Sequence, residues 1–268
     1  MIAEQHACEQ QDRRFVVRLP LKMDSKQLGF SRLSTERSLH SIERRLERDP
    51  ELKFQYHSFM KEYEHLGHME PVKPLEERQP CFFLPHHPVF KTTSTTTKTR
   101  VVFDGGAKTS NGLSLNDILQ VGPTVQQDLY SIVLRFRTHQ VRFTADIAKM
   151  YRQINVHPQD RNLQRILWRY SSDEPIQEYH LTTVTYGNSS APYLATRCLQ
   201  KLADDNQSQH PTVAQVLSND FYVDSLSGTS TIQDAIKVKQ EISAMLQTAG
   251  FTLYTQGEIL CECECTIL

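Results

Sequence analysis

The chain has 268 residues, of which 30 are basic and 31 acidic, so its formal charges nearly cancel. This length suffices for one large or two ordinary domains, and the charge balance excludes a uniformly basic nucleic-acid-binding protein. No window of about 18 apolar residues occurs, so we expect no membrane-spanning helix.

Positive charge is nevertheless concentrated in one stretch of the sequence. Lys91, Lys98, Arg100 and Lys108 lie close together, with Asp104 as the one acid among them. Such clustering is compatible with a basic groove on a neutral protein, and equally with an ordinary solvated surface.

Cysteine usage predicts a reducing, intracellular setting. Cys8, Cys81 and Cys198 are scattered rather than arranged as a disulfide framework. Residues 1–11 are polar and lack the apolar core of a signal peptide. Three further cysteines alternate with glutamates near the end, at Cys261, Cys263 and Cys265. Because this pattern lacks the paired spacing of structural zinc modules, we interpret it as a divergent tail.

The first 80 residues predict a short strand and two helices. The strand, 15–20, is ended by a proline. The first helix stops before Pro50 and has apolar residues at helical spacing: Leu39, Ile42 and Leu46. The second helix ends at Gly67 and presents one apolar, partly aromatic face: Leu52, Tyr56, Phe59, Tyr63 and Leu66.

The next segment, 71–104, is punctuated by prolines and predicts short strands. A connector at 71–80 leads to a predicted strand at 81–85. For His86 and His87 we favour a structural role over metal binding, because adjacent strand residues face opposite sides. The polar run 92–97 predicts a mobile loop, and 100–104 predicts a strand ended by two glycines.

The remainder mixes helices with strands and predicts an α+β fold rather than a regular doubly wound one. Strands are expected at 141–147 and in a hairpin of 166–170 with 176–181. Helices are expected at 125–136, from Pro192 onward, and from a cap at Thr231 to Gly250. The last of these carries six apolar residues: Ile232, Ala235, Ile236, Ile242, Met245 and Leu246.

Two carboxylates stand out because each lies at the end of a predicted strand. In 141–147 apolar residues alternate with polar ones, which puts Asp146 on the face away from the core. The segment 220–228 predicts a hairpin with Asp224 at its tip. Acids on neighbouring strand ends are the ligands that a two-metal phosphoryl-transfer site requires. A turn or capping role is the plainer alternative for a single such aspartate.

In their order along the chain, these segments resemble the reverse transcriptase of BEL/Pao-type long-terminal-repeat retrotransposons. The resemblance covers roughly residues 13–253 and rests on five motifs: FVVRLP at 15–20, LGHME at 66–70, LPHHPV at 84–89, RVVFD at 100–104 and APYLATR at 191–197. It implies the fingers and palm of a right-hand polymerase, with a mixed or antiparallel palm sheet and no thumb. We expect an N-terminal helical extension at 1–80, the fingers and palm at 81–253, and the divergent tail at 254–268.

The resemblance also implies a metal site. Asp146 would bridge two Mg (or Mn) ions, the carbonyl of Ile147 would complete a ligand shell, and Asp224 would be the second acid. Magnesium prefers such hard oxygen ligands and leaves room for substrate phosphates.

The same resemblance implies substrate contacts. Arg100, assisted by Lys98, would grip the triphosphate of a deoxynucleoside triphosphate. Tyr151 would pack under its sugar and exclude a 2′-hydroxyl, with core packing as the plainer reading. Tyr186 and Gly187 would support the nucleotide and the template base, with an ordinary turn as the alternative. The implied partners are an RNA or DNA template–primer and the nucleotide, in the cytoplasm, in virus-like particles or in the nucleus, without a membrane.

The sequence departs from the family at its most characteristic motif. The family's tip has the form Tyr-x-Asp-Asp, whereas here Asp224 is followed at once by Ser225. Loss of one aspartate is the simplest account, because the spacing to Gly228 is also shorter. We therefore expect an RNA-directed DNA polymerase whose catalysis is lost or severely weakened. The alternative is a non-catalytic remnant that binds nucleic acid or another protein.

Overall fold

The computed structural model describes residues 9–73, 80–90, 99–221, 224–254 and 260–261. These residues belong to two compact units, each built from separate stretches of chain. Unit 1 contains Val17–Gly122 and Asn155–Ala191, and unit 2 contains Ala7–Val16, Pro123–Ile154 and Pro192–Leu268. Unit 1 crosses residue 80, so the division into an extension, a fingers–palm part and a tail stays a prediction.

The described helices are α1 (Arg32–Arg48), α2 (Pro50–His65), α3 (Leu115–Ile118), α4 (Leu129–Thr138), α5 (Ala191–Asn206), α6 (Pro211–Asn219) and α7 (Ile232–Thr248). The strands are β1 (Glu9–Gln11), β2 (Arg14–Val17), β3 (Met69–Pro71), β4 (His86–Phe90), β5 (Thr99–Phe103), β6 (Val141–Ile147), β7 (Asn155–Val156), β8 (Arg165–Trp168), β9 (Gln177–Leu181), β10 (Asp224–Thr229), β11 (Leu253–Tyr254) and β12 (Leu260–Cys261). No helix within the described ranges combines the length and the apolar character that a bilayer crossing requires.

The two predicted N-terminal helices are confirmed, and local capping explains where they meet. Asp49 ends α1 and caps α2, accepting a hydrogen bond from the Leu52 N–H at 3.0 Å, while Pro50 occupies the first turn. Gly67, at φ +69°, lets the chain leave α2 in a left-handed conformation. The buried residues of α2 lie on one face: Leu52, Tyr56, Met60 and Tyr63.

Aromatic side chains in the core of unit 1 surround His86, one of three buried histidines among the described residues of this unit. β4 pairs antiparallel with β5, and the His86 ring packs against Trp168 with centroids 5.8 Å apart. The Leu167 carbonyl can only accept, so His86 Nε2 carries the proton and donates to it at 2.9 Å. Nδ1 then accepts from the Tyr56 hydroxyl. The expected structural role of His86 therefore has a physical basis.

Unit 2 is organised around β6, the central strand of an antiparallel sheet. β10 pairs with one edge of β6, and β11 and β12 also pair with it. α4 and α7 pack against β10, and α7 also packs against β6. The side chains of β6 alternate between buried and more exposed positions. Its odd-numbered residues therefore face the core, as predicted.

Several predictions for individual elements are corrected by the structure. The strand at 81–85 is only a single parallel bridge between Phe83 and Arg165. Pro80 and Pro85 flank it and cannot donate to a ladder. Helix α4 begins at Leu129 rather than at residue 125. Helix α6 was not predicted, although Pro211 marks its first turn.

Three apolar side chains of the predicted helical patterns are exposed in the structure. Leu66 lies beyond the last residue of α2 and is 47% exposed. Ile232 and Ile236 of α7 are 46% and 43% exposed, because the buried stripe of that helix runs through other residues: Ala235, Ile242, Met245 and Leu246. The loop expected at 92–97 lies outside the described residues.

The burial of His86 predicts that the stability of the protein depends on pH. Desolvation lowers the pKa of His86 to about 4 from 6.5, against the Leu167 hydrogen bond, which raises it. Since the unfolded chain binds this proton more readily, the stabilisation is fully present above pH 6.5 and is lost as pH falls towards 4. We expect the free energy of unfolding to drop by up to about 3 kcal/mol across that window.

Urea titrations at several pH values measure this dependence. His86→Gln should remove the contribution of His86 to the slope of stability between pH 6.5 and 4. His87→Gln, at an exposed neighbouring position, should keep most of it, because the charge of His87 is the smallest of the causes that shift the pKa of His86. An unchanged slope in His86→Gln would contradict the assignment.

Candidate functional site

Asp146 lies at the exposed end of the central strand of unit 2. Its neighbours Ala145 and Ile147 are buried at 4% and 2% exposure, whereas Asp146 itself is exposed. Strand alternation therefore links the burial of the two neighbours to the exposure of Asp146. Because the flanking residues pack against the core, the carboxylate lies on the opposite face of the strand.

Asp224 is the residue directly opposite Asp146 in the adjacent strand. The register of β10 on β6 pairs Asp224 with Asp146, Ser225 with Ala145 and Leu226 with Thr144. Directly opposed residues in antiparallel strands have Cα atoms roughly 4.5–5.5 Å apart. The two predicted acidic positions are thus adjacent in the sheet.

Gly228 helps to hold this register at the other end of the strand pair. A Cβ added to Gly228 would lie 2.4 Å from the Val141 carbonyl oxygen and 2.6 Å from the His139 Cβ. Only a glycine allows so close an approach of the two backbones. A slip by one residue would move another side chain into this space and separate Asp224 from Asp146.

The backbone after Asp146 turns sharply towards Tyr151. The Ala148 N–H donates to the Thr252 carbonyl at 2.8 Å, on the β11 side. Because backbone groups alternate along a strand, the Ile147 carbonyl points to the β10 side, where Asp224 lies. Lys149 has a left-handed φ of +48° and leads into a 3₁₀ turn, Met150–Gln153, that carries Tyr151. A non-glycine residue in this conformation is a strained feature of the kind found at functional sites.

A third acid, Asp220, is close in sequence but is held by a structural network. Arg135 Nε donates to Asp220 Oδ1 at 3.2 Å, and the Ser227 hydroxyl donates to Oδ2 at 3.0 Å. Ser227 stands opposite buried Phe143 and is only 2% exposed, so its hydroxyl needs this partner. Both oxygens of Asp220 are therefore already bonded within the domain.

The oxygen donors that the family resemblance implies for a hard divalent cation belong to Asp146, Ile147 and Asp224, which lie on the paired strands β6 and β10. Among the described residues, no group of three or more His, Cys, Asp or Glu side chains is arranged to hold a metal ion. The predicted tip residues Tyr222 and Val223 lie outside the described residues.

The remaining predicted site residues belong to unit 1. Arg100 is exposed on β5, opposite Val89 of β4, and Lys98 lies outside the described residues. Tyr186 is 44% exposed and stands in the turn after β9. Arg100 is three residues, or about 10 Å, from Phe103 at the end of β5, against which the Gly187 turn packs.

Gly187 is a position that no other residue can occupy without a shift. Its φ is +103°, and an added Cβ would lie 1.7 Å from the Phe103 carbonyl oxygen at the end of β5. The close backbone approach that requires a glycine at this position is therefore made to the end of β5. Contact of Tyr186 and Gly187 with a nucleotide stays a prediction.

Two amide side chains hold this turn, and neither was identified from the sequence. Asn116 Nδ2 donates to the Gly187 carbonyl at 2.9 Å, and fully buried Gln164 accepts from Asn188 Nδ2 at 2.6 Å. Their partners lie 71 and 24 residues away along the chain. No periodicity or local motif encodes such contacts, although Asn116 lies between the two residues of a capping box, Ser114 and Asp117, which could have marked it as fixed in place.

Comparison with solved structures finds proteins whose fold is similar to that of this chain. Prototype foamy virus protease–reverse transcriptase, a selenomethionine-labelled CSH mutant, aligns with a TM-score of 0.58 and 16% identity over 79% of this chain and 24% of that one. A foamy viral protease–reverse transcriptase dRH in complex with double-stranded DNA aligns with a TM-score of 0.54 and 17% identity over 74% of this chain and 30% of that one. None of the protein-family models matches the chain, and neither does any curated protein sequence.

These similarities show a reverse-transcriptase-like fold of mixed helices and sheets. The chain spans less than a third of either foamy viral protein that it matches. The narrower assignment to BEL/Pao elements, and the division into fingers and palm, stay predictions.

The geometry of Gly187 yields a stability prediction. Gly187→Ala should reduce the free energy of unfolding by about 3 kcal/mol or more, because it combines a left-handed φ with a backbone clash. Gly112→Ala is the matched control: its φ is +83° but nothing lies within 4 Å of an added Cβ. It should cost only about 1 kcal/mol, for conformational strain alone. Equal losses in denaturant titrations of the two variants would contradict the clash.

Proposed function

We propose that this chain is a reverse-transcriptase-like domain of a retroelement, similar to BEL/Pao polymerases, that binds a template–primer and retains a reduced nucleotidyl-transfer site. The observation that carries the proposal is the register of β10 on β6, in which Asp224 stands opposite exposed Asp146. The reverse-transcriptase-like fold supports it, since unrelated α+β domains have no reason to align their acids in this way.

The chemistry assigned to this site is transfer of a nucleotide to a primer 3′-hydroxyl. A bound Mg²⁺ or Mn²⁺ would stabilise the charge that develops on the attacking and leaving oxygens. Asp146 and Asp224 would hold it through carboxylate oxygens, and Ile147 through its carbonyl. In this proposal the protein's own contribution is to fix these donors on two paired strands, which limits reorganisation during the reaction.

The other predicted residues would bind and select the nucleotide. Arg100, exposed on β5, carries a guanidinium suited to bidentate contact with phosphate oxygens. Tyr151 follows the strained Lys149 turn, and its ring would exclude a ribose 2′-hydroxyl. Tyr186 offers an exposed ring for stacking. A foamy viral neighbour is described in complex with double-stranded DNA, which supports a nucleic-acid partner for this chain as well.

The transfer step is expected to be weak because a carboxylate is missing. Ser225 follows Asp224 directly, and serine binds a divalent cation far less strongly than aspartate does. Asp220 is not a ready substitute, because its oxygens are bonded to Arg135 and Ser227. Loss of one preorganised interaction of about 3 kcal/mol costs on the order of a hundredfold in rate.

The same deficit favours a second candidate, a domain that binds template–primer without extending it. Nucleic-acid binding depends on cationic contacts and needs no second carboxylate. Salt-sensitive binding without any nucleotide incorporation would distinguish this function from the first.

Cation binding tests the site independently of catalysis. Asp146→Asn should weaken Mn²⁺ binding at least tenfold, about 1.4 kcal/mol, measured by calorimetry or electron paramagnetic resonance. Because Asp146 is exposed, the thermal unfolding midpoint should hardly change. Asp205→Asn, which removes a carboxylate of α5 that pairs with Lys201, should bind Mn²⁺ like the unaltered chain. Equal Mn²⁺ affinities in all three proteins would refute the assigned site.

A further inference from the structure

The turn that carries Tyr186 and Gly187 is fixed by Asn116 through two hydrogen bonds. Asn116 Nδ2 donates to the Gly187 carbonyl at 2.9 Å, and Asn116 Oδ1 accepts from the Ser189 N–H at 2.8 Å. These two groups belong to the peptide planes on either side of Asn188. One amide side chain therefore sets the orientation of two consecutive peptide groups.

The residue between those peptide groups is held from another direction. Asn188 is 5% exposed, and its Nδ2 donates to Gln164 Oε1 at 2.6 Å. Gln164 Nε2 in turn donates to the carbonyls of Leu181 and Thr183, both at 3.3 Å. The end of β9 and the turn that follows it thus form one hydrogen-bonded network. Within it, Asn116 holds the peptide groups of Gly187 and Ser189.

Asn116 is itself held firmly. Its backbone N–H donates to the Gly105 carbonyl at 2.9 Å. It lies in α3, whose start is fixed by a capping box between Ser114 and Asp117. Lys108 pairs with Asp117 and, together with Ser114, lowers the pKa of that carboxyl well below its usual range. The capping box and this ion pair hold the start of α3, and with it Asn116.

This arrangement determines what the turn offers to a ligand. The Gly187 carbonyl is engaged by Asn116, whereas the Gly187 N–H donates to no group among the described residues. Beside it stands the Tyr186 ring, which is 44% exposed. A peptide N–H that has no acceptor among the described residues, in an exposed residue next to an exposed aromatic ring, suits a nucleotide, which provides oxygen acceptors and a stacking face.

We infer that Asn116 is a positioning residue for nucleotide acceptance, holding the Gly187 peptide and Tyr186 in the orientation that receives the incoming nucleotide. The inference rests on the proposed function, because it requires a template–primer and a nucleotide as ligands. Asn116 acts through the turn and is not assigned a contact with substrate.

The test compares Asn116→Asp with Asn111→Asp. An aspartate at position 116 cannot donate to the Gly187 carbonyl and would repel it. Asn111 is a matched control, because its Nδ2 also donates to a backbone carbonyl, that of Gln27, at 2.7 Å, and its Oδ1 accepts from the Leu113 N–H at 3.2 Å. Both variants gain the same negative charge and lose an equivalent bond, so effects of charge and stability are shared.

The measurement uses the full chain and a fluorescent template–primer whose primer ends in a dideoxynucleotide, with Mg²⁺ present. Its dissociation constant is determined with and without the deoxynucleoside triphosphate that matches the template. We expect the matching nucleotide to tighten the complex of the unaltered chain and of Asn111→Asp. In Asn116→Asp this tightening should fall about tenfold, as for the loss of one well-placed hydrogen bond. The affinity without nucleotide should match that of Asn111→Asp.

Each other outcome overturns the inference. Normal tightening in Asn116→Asp, or equal losses in both variants, would leave Asn116 with only a general structural role. Template–primer binding by the unaltered chain without any effect of nucleotide would remove the event that Asn116 is said to assist. Failure of the unaltered chain to bind template–primer at all would contradict the proposed function itself, and the inference would fall with it.

Discussion

The antiparallel register of β10 on β6 is the constraint on which the account of unit 2 depends. It places Asp224 opposite Asp146 and Ser227 opposite Phe143. Ser227 is a polar residue at a buried position, and the bond to Asp220 satisfies its hydroxyl while Arg135 neutralises the carboxylate. The same register therefore places the two strand-end aspartates in opposed positions and leaves Asp220 bonded to Arg135 and Ser227.

A strand shortened by one residue, as the sequence predicts, would account for this combination in physical terms. Side chains alternate along a strand, so removal of one residue after Asp224 exchanges the faces of all that follow. Inserting one residue there, with Asp224 held opposite Asp146, would move Leu226 to the position that Ser227 now holds. An apolar residue opposite Phe143 is what a β-strand core ordinarily contains. The buried Ser227 and its polar network are the result expected if the strand lost one residue and the fold adapted.

How far the sequence could predict this structure depends on how local each signal is. β6, the two N-terminal helices and the cap at Thr231 were predicted because period, capping residues and prolines act over a few positions. The exposed end of β6 followed from alternation alone, which identified Asp146. By contrast, the burial of α7 depends on which neighbours it packs against, so the exposure of its first two isoleucines could not be predicted from the helical pattern.

The candidate site was predictable only where it followed from strand order. Asp224 and Asp146 were recognised as strand-end acids. The hydrogen bond from Arg135 to Asp220, however, joins residues 85 positions apart and has no local sequence signature. The roles of Asn116 and Gln164 depend likewise on contacts that exist only after the chain has folded. Gly187 was singled out from its sequence context, yet the reason for a glycine there is a backbone oxygen of β5, which no sequence pattern specifies.

Primer extension on an RNA template tests the central claim most directly. It compares the unaltered chain with variants that carry either an Asp or an Ala inserted after Asp224, each alone and combined with Asp146→Asn. If one missing carboxylate limits the reaction, the Asp insertion should raise the extension rate by about a hundredfold. The Ala insertion, which changes the length without adding a ligand, should not, and Asp146→Asn should abolish extension in every background. Equal rates for the unaltered chain and the Asp insertion, or extension that survives Asp146→Asn, would contradict the account.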